Sequence, residues 1–572
     1  MTTPEEPARY WRRTCLLLLG LVLCRGVAAL CVMPPFEGWD EYEHLGYVEY
    51  VRETRRRPVL GEAVVPPALA QAALTFPHPP DVARGVLGPY RALDYAAFWS
   101  RRDPPDLASA VGGGGALYQA QHGPLFYRLV APAFAWFGGV NDLRASVAGL
   151  RLVNLGLTVA AVGVFLAVSR RVFMRTRDAA LAALPLAAHP LFLLNGTRVA
   201  NDAAGLLLAT IAVGLGFGLA LGRRPTAWAW PLGVAAGLAA AVKATNLALL
   251  PFLAVCWVAG ARGASVRARV GSALLLAAGW LLPMAGDLQF NLAHYGVPTA
   301  MQEAVANRRA GRSTADLVRA ARSIPWESTL RRLWVRELYF KGGWSFLRTH
   351  PALTQGYQAA VTVGLVGWGV LGLRRLTGRR DPVFVAPAIG GLMGMVVVGY
   401  TVALAYHMVQ SKVAWGEPTT CAWYACAGLP WFLALVVVGG FAWVPSRLRA
   451  AVPLAVAAVC LAGEFVGACG QMVPTYSGGA TGTEALRRLA ALQPPALGTA
   501  TLFAALAGEV LIAAAVVLTL RDWARFECTN APASLDGRAG ASSVAFRPKG
   551  VLSGGSRAAG PSWRRAGSAR RS

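Results

Sequence analysis

Apolar residues along this chain come in long blocks rather than at the spacing of an amphipathic surface helix. They fall at about 14–33, 148–168, 178–195, 204–222, 228–242, 246–261, 272–287, 355–373, 383–408, 427–445, 450–470 and 498–520. Blocks of about 16–25 apolar residues match the length an α-helix needs to cross some 30 Å of hydrocarbon. Alanine, glycine, leucine and valine dominate them, and small residues let membrane helices approach closely. The pattern predicts an all-α polytopic integral membrane protein with about 12 transmembrane helices and two large extracytoplasmic loops. The run around Lys243 reads as two short helices or one broken one.

Polar connections set the expected orientation. Arg170-Arg171 with Arg175 and Arg177, Arg223-Arg224, Arg262 to Arg269, Arg374 to Arg380, and Arg447 with Arg449 all lie in short loops. The positive-inside rule places such loops in the cytoplasm. The chain then divides into a cytoplasmic N-terminus (1–13), a first span (14–33), a first outer loop (34–147), spans two to seven (148–287), a second outer loop (288–354), spans eight to twelve (355–520) and a basic tail (521–572). The first block reads as a retained anchor, because no small-x-small cleavage site precedes Pro34. The tail beyond about Asn530 is rich in Ser, Gly, Arg and Ala and reads as a disordered cytoplasmic extension.

Composition agrees. The chain has 572 residues, 55% hydrophobic, and a mean hydropathy of +0.44, too apolar for a soluble globular protein. A net charge of +26 sits largely in the cytoplasmic loops and tail. Anionic lipid headgroups account for it, and no nucleic-acid partner is needed. The Ala, Gly and Arg content suggests a GC-rich bacterial genome. The nine cysteines lie mostly inside apolar blocks and show neither a disulfide framework nor a metal spacing. Cys421 and Cys426 could pair on an oxidising side, although two buried thiols fit as well.

Candidate chemistry gathers on one side of this topology. All seven histidines (His44, His78, His122, His189, His294, His350, His407) fall in outer loops or at outer helix ends. Directly after the first span comes Pro34-Pro35-Phe36-Glu37-Gly38-Trp39-Asp40-Glu41-Tyr42-Glu43-His44. A charge at bilayer depth costs about 2.5–3.5 kcal/mol or more, so carboxylates at this boundary suit chemistry on a lipid-borne substrate. Asp40 and Glu41 are the candidate catalytic residues. A plainer explanation stands beside that one: Asp40 and Glu43 form a capping-box pattern, and Arg52, Arg55, Arg56 and Arg57 complement the dipole at the other end. Asp40 and His44, four residues apart, would share one helix face.

Tyr118 to Phe137 is aromatic and amphipathic, fit for the membrane interface. Asn201-Asp202 could cap the fourth span. Lys243 interrupts an apolar run, and a buried lysine is costly unless it meets an anion. Arg25, inside the first span, could pair with an outer carboxylate or snorkel; Glu464 and Glu509, inside late spans, could be transport residues. Asn195-Gly196-Thr197 is a glycosylation sequon close to the membrane. The second loop carries Arg308, Arg309, Arg312, Arg319, Arg322, Arg331, Arg332, Arg336, Lys341 and Arg348. Cations in that number beside a membrane suggest a lipid phosphate. Candidate substrate-binding residues are His44, Tyr118, His122, Arg198, Asn201, Asp202, Lys243, Arg308 and Arg309.

In combination these segments resemble the GT-C superfamily of polytopic glycosyltransferases, especially bacterial relatives of protein O-mannosyltransferases and lipid A aminoarabinose transferases. The resemblance lies in Trp39-Asp40-Glu41 with His44, in Tyr118-x-Ala-x-His-Gly-Pro-Leu-Phe-Tyr127, and in Arg151-Leu152-Val153-Asn154. It continues in Asn201-Asp202 and the Lys243 break, covering roughly residues 10–260. The family often has His-Pro-Pro where this chain has His122-Gly123-Pro124. The likeness implies a polyprenyl-phosphate sugar donor, a cell-envelope glycan, lipid or protein acceptor, and a site on the outer face of the plasma membrane. It also implies that Asp40 acts as a base while cations meet the leaving lipid phosphate, inverting the anomeric centre. A divalent metal could sit with Asp40, Glu41 and His44, although the chemistry does not require one. The rival from another class is a transporter or flippase of a lipid-linked or anionic substrate. Transporters usually carry internal repeats, and the sequence shows none. An inactive scaffold would keep the hydropathy without needing the carboxylates.

Overall fold

The computed structural model describes residues 5–79, 93–101, 115–222, 225–336, 342–347, 350–377, 385–445 and 448–529. It divides into a large unit, Met1–Ala524, and a second unit, Arg525–Ser572. The chain is an all-α polytopic membrane protein. Among the described residues, eight helices are long and apolar enough to cross a membrane: Glu6–Val32, Gly139–Val172, Asp202–Leu221, Val266–Tyr295, Pro351–Leu376, Pro387–Trp415, Ala451–Tyr476 and Pro495–Glu527. Thr176–Ala188 and Pro190–Thr197 together form a ninth candidate, bent by 65° at His189. The other three apolar blocks give shorter helices, Trp228–Val242, Ala244–Gly260 and Leu429–Trp443. Each of the 12 blocks is therefore a helix, while span length separates them into classes. The expected disorder of the tail beyond Asn530 lies outside the described residues.

Small residues decide how closely these helices pack. Gly233 and Gly237, one turn apart, face the backbone oxygens of Leu276 and Trp280, and Gly279 faces Trp230 O in return. A Cβ at any of the three would collide with backbone, so the Pro225–Val242 and Val266–Tyr295 helices meet main chain to main chain. Thr176–Ala188 and Leu429–Gly440 lie at the centre; from Asp178 and Leu429 onward, every residue of each is buried.

Two ionisable features inside the spans are resolved by their partners. Arg25, fully buried, bonds Glu464, lies 3.9 Å from Glu509 and donates to Ala187 O. A guanidinium and two carboxylates held together need no transport role, and Arg25 does not snorkel. Lys243 marks a break rather than a continuous helix. Its backbone is extended (φ −146°, ψ 112°) between Val242 and the 3-10 turn Ala244–Leu249. Side chains close the break: Asn201 Nδ2 donates to Val242 O at 2.7 Å, and Asn246 Nδ2 joins Lys243 N on Ala239 O at 2.9 Å. Asn201 makes no side-chain cap; its amide closes the neighbouring helix instead.

The two long connections, 34–147 and 288–354, are partly helical. The first contains the buried helix Glu41–Thr54 and the shorter apolar helix Leu125–Trp136, in which Phe126, Tyr127, Val130 and Phe134 are buried while Leu129 and Trp136 are exposed. The second contains Gln302–Arg309, Thr314–Ser323 and Trp326–Arg331. Asn307 Nδ2 donates to Gln410 Oε1 at 2.8 Å and to Gln410 O at 2.9 Å, tying that loop to the Pro387–Trp415 span. Cys421 and Cys426 are not joined in a disulfide. Asn195 is buried and bonded to Asp202 and Arg198, so the sequon is not an accessible one.

Candidate active site

The first loop leaves the membrane through a sharp reversal. Phe36 and Asp40 both adopt the left-handed region, with φ 68° and 59°, a conformation that costs a non-glycine residue roughly 1–2 kcal/mol and that Asp tolerates better than most. Glu41 holds the reversal. Its Oε1 accepts from Arg151 Nε at 2.8 Å and from Val199 N at 2.9 Å, and its Oε2 accepts from Arg151 Nη2 at 2.6 Å and Phe36 N at 2.9 Å. Arg151 also donates to Met33 O at 2.6 Å and Pro34 O at 2.7 Å. Asn154, one turn on, donates to Arg198 O at 2.6 Å and Ala200 O at 3.0 Å. The Arg-x-x-Asn motif thus fixes the first reversal and the Arg198 segment relative to each other.

Glu37, beside it, is enclosed by neutral donors. Tyr95 bonds it, with Gly343 N at 2.9 Å, Ser345 N at 3.0 Å, Ser345 Oγ at 2.9 Å and Tyr476 Oη at 3.1 Å. Burial pushes its carboxyl above the usual range against the pull of these donors. First loop, second loop and the end of the Ala451–Tyr476 span meet on this one side chain.

Asp40 is placed differently from both. It stands at the N-cap of Glu41–Thr54 yet makes no side-chain cap bond, which removes the capping-box explanation. Its carboxylate instead accepts the Tyr118 hydroxyl and lines a cavity of about 170 Å³ together with His44, His122, Arg198, Asp202 and Lys243. Burial raises its pKa, opposed by Arg198, Tyr118 and Lys243. Arg198 donates to Asp202 at 2.7 Å, to Asn195 Oδ1 at 3.1 Å and to Trp39 O. Lys243 Nζ bonds the other Asp202 oxygen and lies 5.4 Å above the Tyr424 ring. Asp202 is therefore the pivot that holds two cations at the cavity wall.

The two histidines are neutral donor–acceptors. His44 Nδ1 pairs with Tyr127 Oη at 2.8 Å, and its ring lies 6.0 Å from that of His122. Burial, with Arg198 and other neighbouring groups, lowers the pKa of His44 well below its ordinary value, and burial with Lys243 takes His122 down to about 3. Gly123 explains the departure from His-Pro-Pro: a Cβ there would collide with Asp287 Oδ2 and Ala241 O.

Several expected residues lie elsewhere. Glu41, grouped with Asp40 by adjacency, faces Arg151 and is not part of the cavity wall. Asn201 is committed to Val242 O. Arg308 and Arg309 are exposed at the end of their helix and do not line the cavity; Lys341 and Arg348 lie outside the described residues. The metal arrangement fails for the same reason as the shared catalysis. Glu41 points away from Asp40, His44 spends Nδ1 on Tyr127, and among the described residues no three His, Cys, Asp or Glu side chains converge as ligands.

Other residues enter that the sequence did not single out. Glu303, Gln119, Gln302, Tyr400 and Tyr424 line the cavity, as does His407, noted before only as one of the outer histidines. His407 Nε2 lies 3.7 Å from Glu303 Oε1. A lone Glu in a basic loop and a His near a helix end gave no spacing signal that would have joined them.

No protein-family profile matches this chain, and no curated protein sequence matches it. Among solved structures it is similar to the oligosaccharyltransferase of Archaeoglobus fulgidus in its apo form, at 15% identity and a TM-score of 0.39, over 84% of this chain and 57% of that one. It is also similar to ArnT from Cupriavidus metallidurans bound to undecaprenyl phosphate, at 15% identity and a TM-score of 0.41, over 89% of this chain and 74% of that one. The chain spans little more than half the length of the archaeal protein.

Proposed function

We propose that this protein is a membrane glycosyltransferase that moves a hexosyl or pentosyl group from a polyprenyl-phosphate donor to a cell-envelope acceptor on the outer face of the plasma membrane. The observation that carries the reading is Asp40: a buried carboxylate, free of any capping duty, in a cavity whose wall holds Arg198 and Lys243. The acceptor hydroxyl or amine gives its proton to Asp40 as its oxygen or nitrogen bonds the anomeric carbon. The bond from that carbon to the phosphate oxygen breaks on the far side, which inverts the centre. Charge balances through the step. Arg198, Lys243, Asp202 and Asp40 sum to zero with Asp40 ionised, and to +1 once it has taken the proton, as the departing phosphate gains its negative charge. Preorganised charges of this kind act where charge develops. Neutral His44 and His122 supply hydrogen bonds without adding charge. Purified protein incubated with a panel of polyprenyl-phosphate sugars and acceptors should release polyprenyl phosphate; release from no member of the panel would overturn the assignment.

Lys243→Met separates donor binding from architecture. The methionine keeps the apolar stem, and Asp202 keeps Arg198 as its partner. Removing one charged hydrogen bond to the phosphate should raise the donor Kd roughly 10–100-fold with thermal stability near wild type. An unchanged Kd by titration in detergent would make Lys243 a structural cation.

A further inference from the structure

We infer that Glu303 and Gln119 form a hydroxyl-recognising subsite that holds the sugar ring of the donor, separate from the cations that meet its phosphate. This rests on the glycosyl-transfer reading and assigns a second part of the same cavity. Glu303 is buried, and its Oε2 has no hydrogen-bond partner among the described residues; Gln119 Oε1 is in the same position. Both side chains line the cavity. A buried acceptor without a donor is unfavourable, the more so when charged, so two of them lining one cavity point to a ligand that brings donors.

The surroundings specify which kind. Glu303 Oε1 has its contacts already, His407 Nε2 at 3.7 Å and Gln302 Nε2 at 3.4 Å, which leaves Oε2 for the ligand. Gln121 Oε1 accepts from Gln302 N at 3.3 Å, and Asn307 ties the same helix to the Pro387–Trp415 span, so the carboxylate is held in place. A phosphate would be repelled by Glu303 and is served at Lys243 and Arg198. Carboxylate and amide oxygens accept from hydroxyl groups, and the half-buried Met301 and Ala403 on the same cavity give a sugar ring an apolar surface to lie against. The cavity thus has a cationic part for the lipid phosphate and an acceptor part for the ring hydroxyls.

The test compares two ligands on wild type, Glu303→Ala, Glu303→Gln and Gln119→Leu in detergent: undecaprenyl monophosphate, and a panel of its glycosyl esters. Wild type should bind at least one glycosyl ester more tightly than the bare lipid phosphate. Glu303→Ala should lose affinity for that ester by roughly 10–100-fold, the worth of hydrogen bonds to a charged group, while binding of undecaprenyl monophosphate stays unchanged. Glu303→Gln keeps one acceptor oxygen and should fall between, and Gln119→Leu should show a smaller loss confined to the ester. Equal losses for both ligands would mean that these residues only shape the fold, and no loss for the ester would remove the subsite; either overturns the inference and leaves glycosyl transfer standing. A wild type that prefers no glycosyl ester would overturn this inference before any variant is examined, while glycosyl transfer itself stands or falls on the release of polyprenyl phosphate.

Discussion

Asp40→Asn should lower turnover by about 10²–10⁴, the usual worth of a general base, with expression and donor binding near wild type. Asparagine has the size of aspartate and tolerates the left-handed backbone at φ 59°, and it can still accept the Tyr118 hydroxyl. It cannot take up a proton from the acceptor. Asp40→Ala should lose the same activity and add a stability loss of about 1 kcal/mol from backbone strain, since no cap bond exists to be lost. The pH profile gives an independent reading. A base works when deprotonated, and burial raises the pKa of Asp40, so kcat/KM should be full above that raised pKa and fall as the pH drops through it. Glu43, pushed up to about 8 by burial and by Asp40, is the control: Glu43→Gln should leave the acid limb in place. Full activity in Asp40→Asn, measured as released polyprenyl phosphate per folded protein, would end the assignment.

Glu41→Ala should fail in the opposite manner, by loss of folded protein. It strips Arg151 of its carboxylate and leaves a buried guanidinium uncompensated, which typically costs about 3–5 kcal/mol. Two backbone donors, Phe36 N and Val199 N, lose their acceptor as well. Replacing both partners by apolar residues of similar volume, Glu41→Leu with Arg151→Met, should recover part of the stability because no unpaired charge remains. Thermal unfolding of the single and double variants in detergent measures the coupling. A Glu41→Gln protein of wild-type stability but without turnover would move the catalytic weight onto Glu41.

The contrast between these neighbours shows how far the sequence could be read. Block length and loop arginines carry the membrane class, since crossing hydrocarbon demands a long apolar run whatever the tertiary fold. Lys243 could be named in advance because it interrupts an apolar run, and Asp40, His44, His122, Arg198 and Asp202 because they stand in polar segments next to apolar blocks. Which way each side chain turns was not readable. Asp40 takes the left-handed region while Glu41 opens the helix, so the two neighbours face different partners, and only the position of Arg151 decides which carboxylate is spent. Glu303 lies in a loop crowded with cations and Tyr424 in an aromatic turn, where one more polar residue is unremarked. The ten-cation loop misled for a related reason: charge density says that an anion is near the surface, not that every arginine faces the cavity.

The cage around Glu37 sets a schedule for biosynthesis. After Tyr95, 58 residues on, its remaining donors arrive 306 to 439 residues after it along the chain, so at translation rates of about 5–20 residues per second the completed cage waits roughly 20–90 s for Tyr476. A ribosome stalled or a chain cut after the first seven spans would display every motif of residues 10–260 with Tyr95 alone on the Glu37 carboxylate. Competence would then come as a single late event, after the penultimate long helix has been inserted, and incomplete chains would be inert in the membrane.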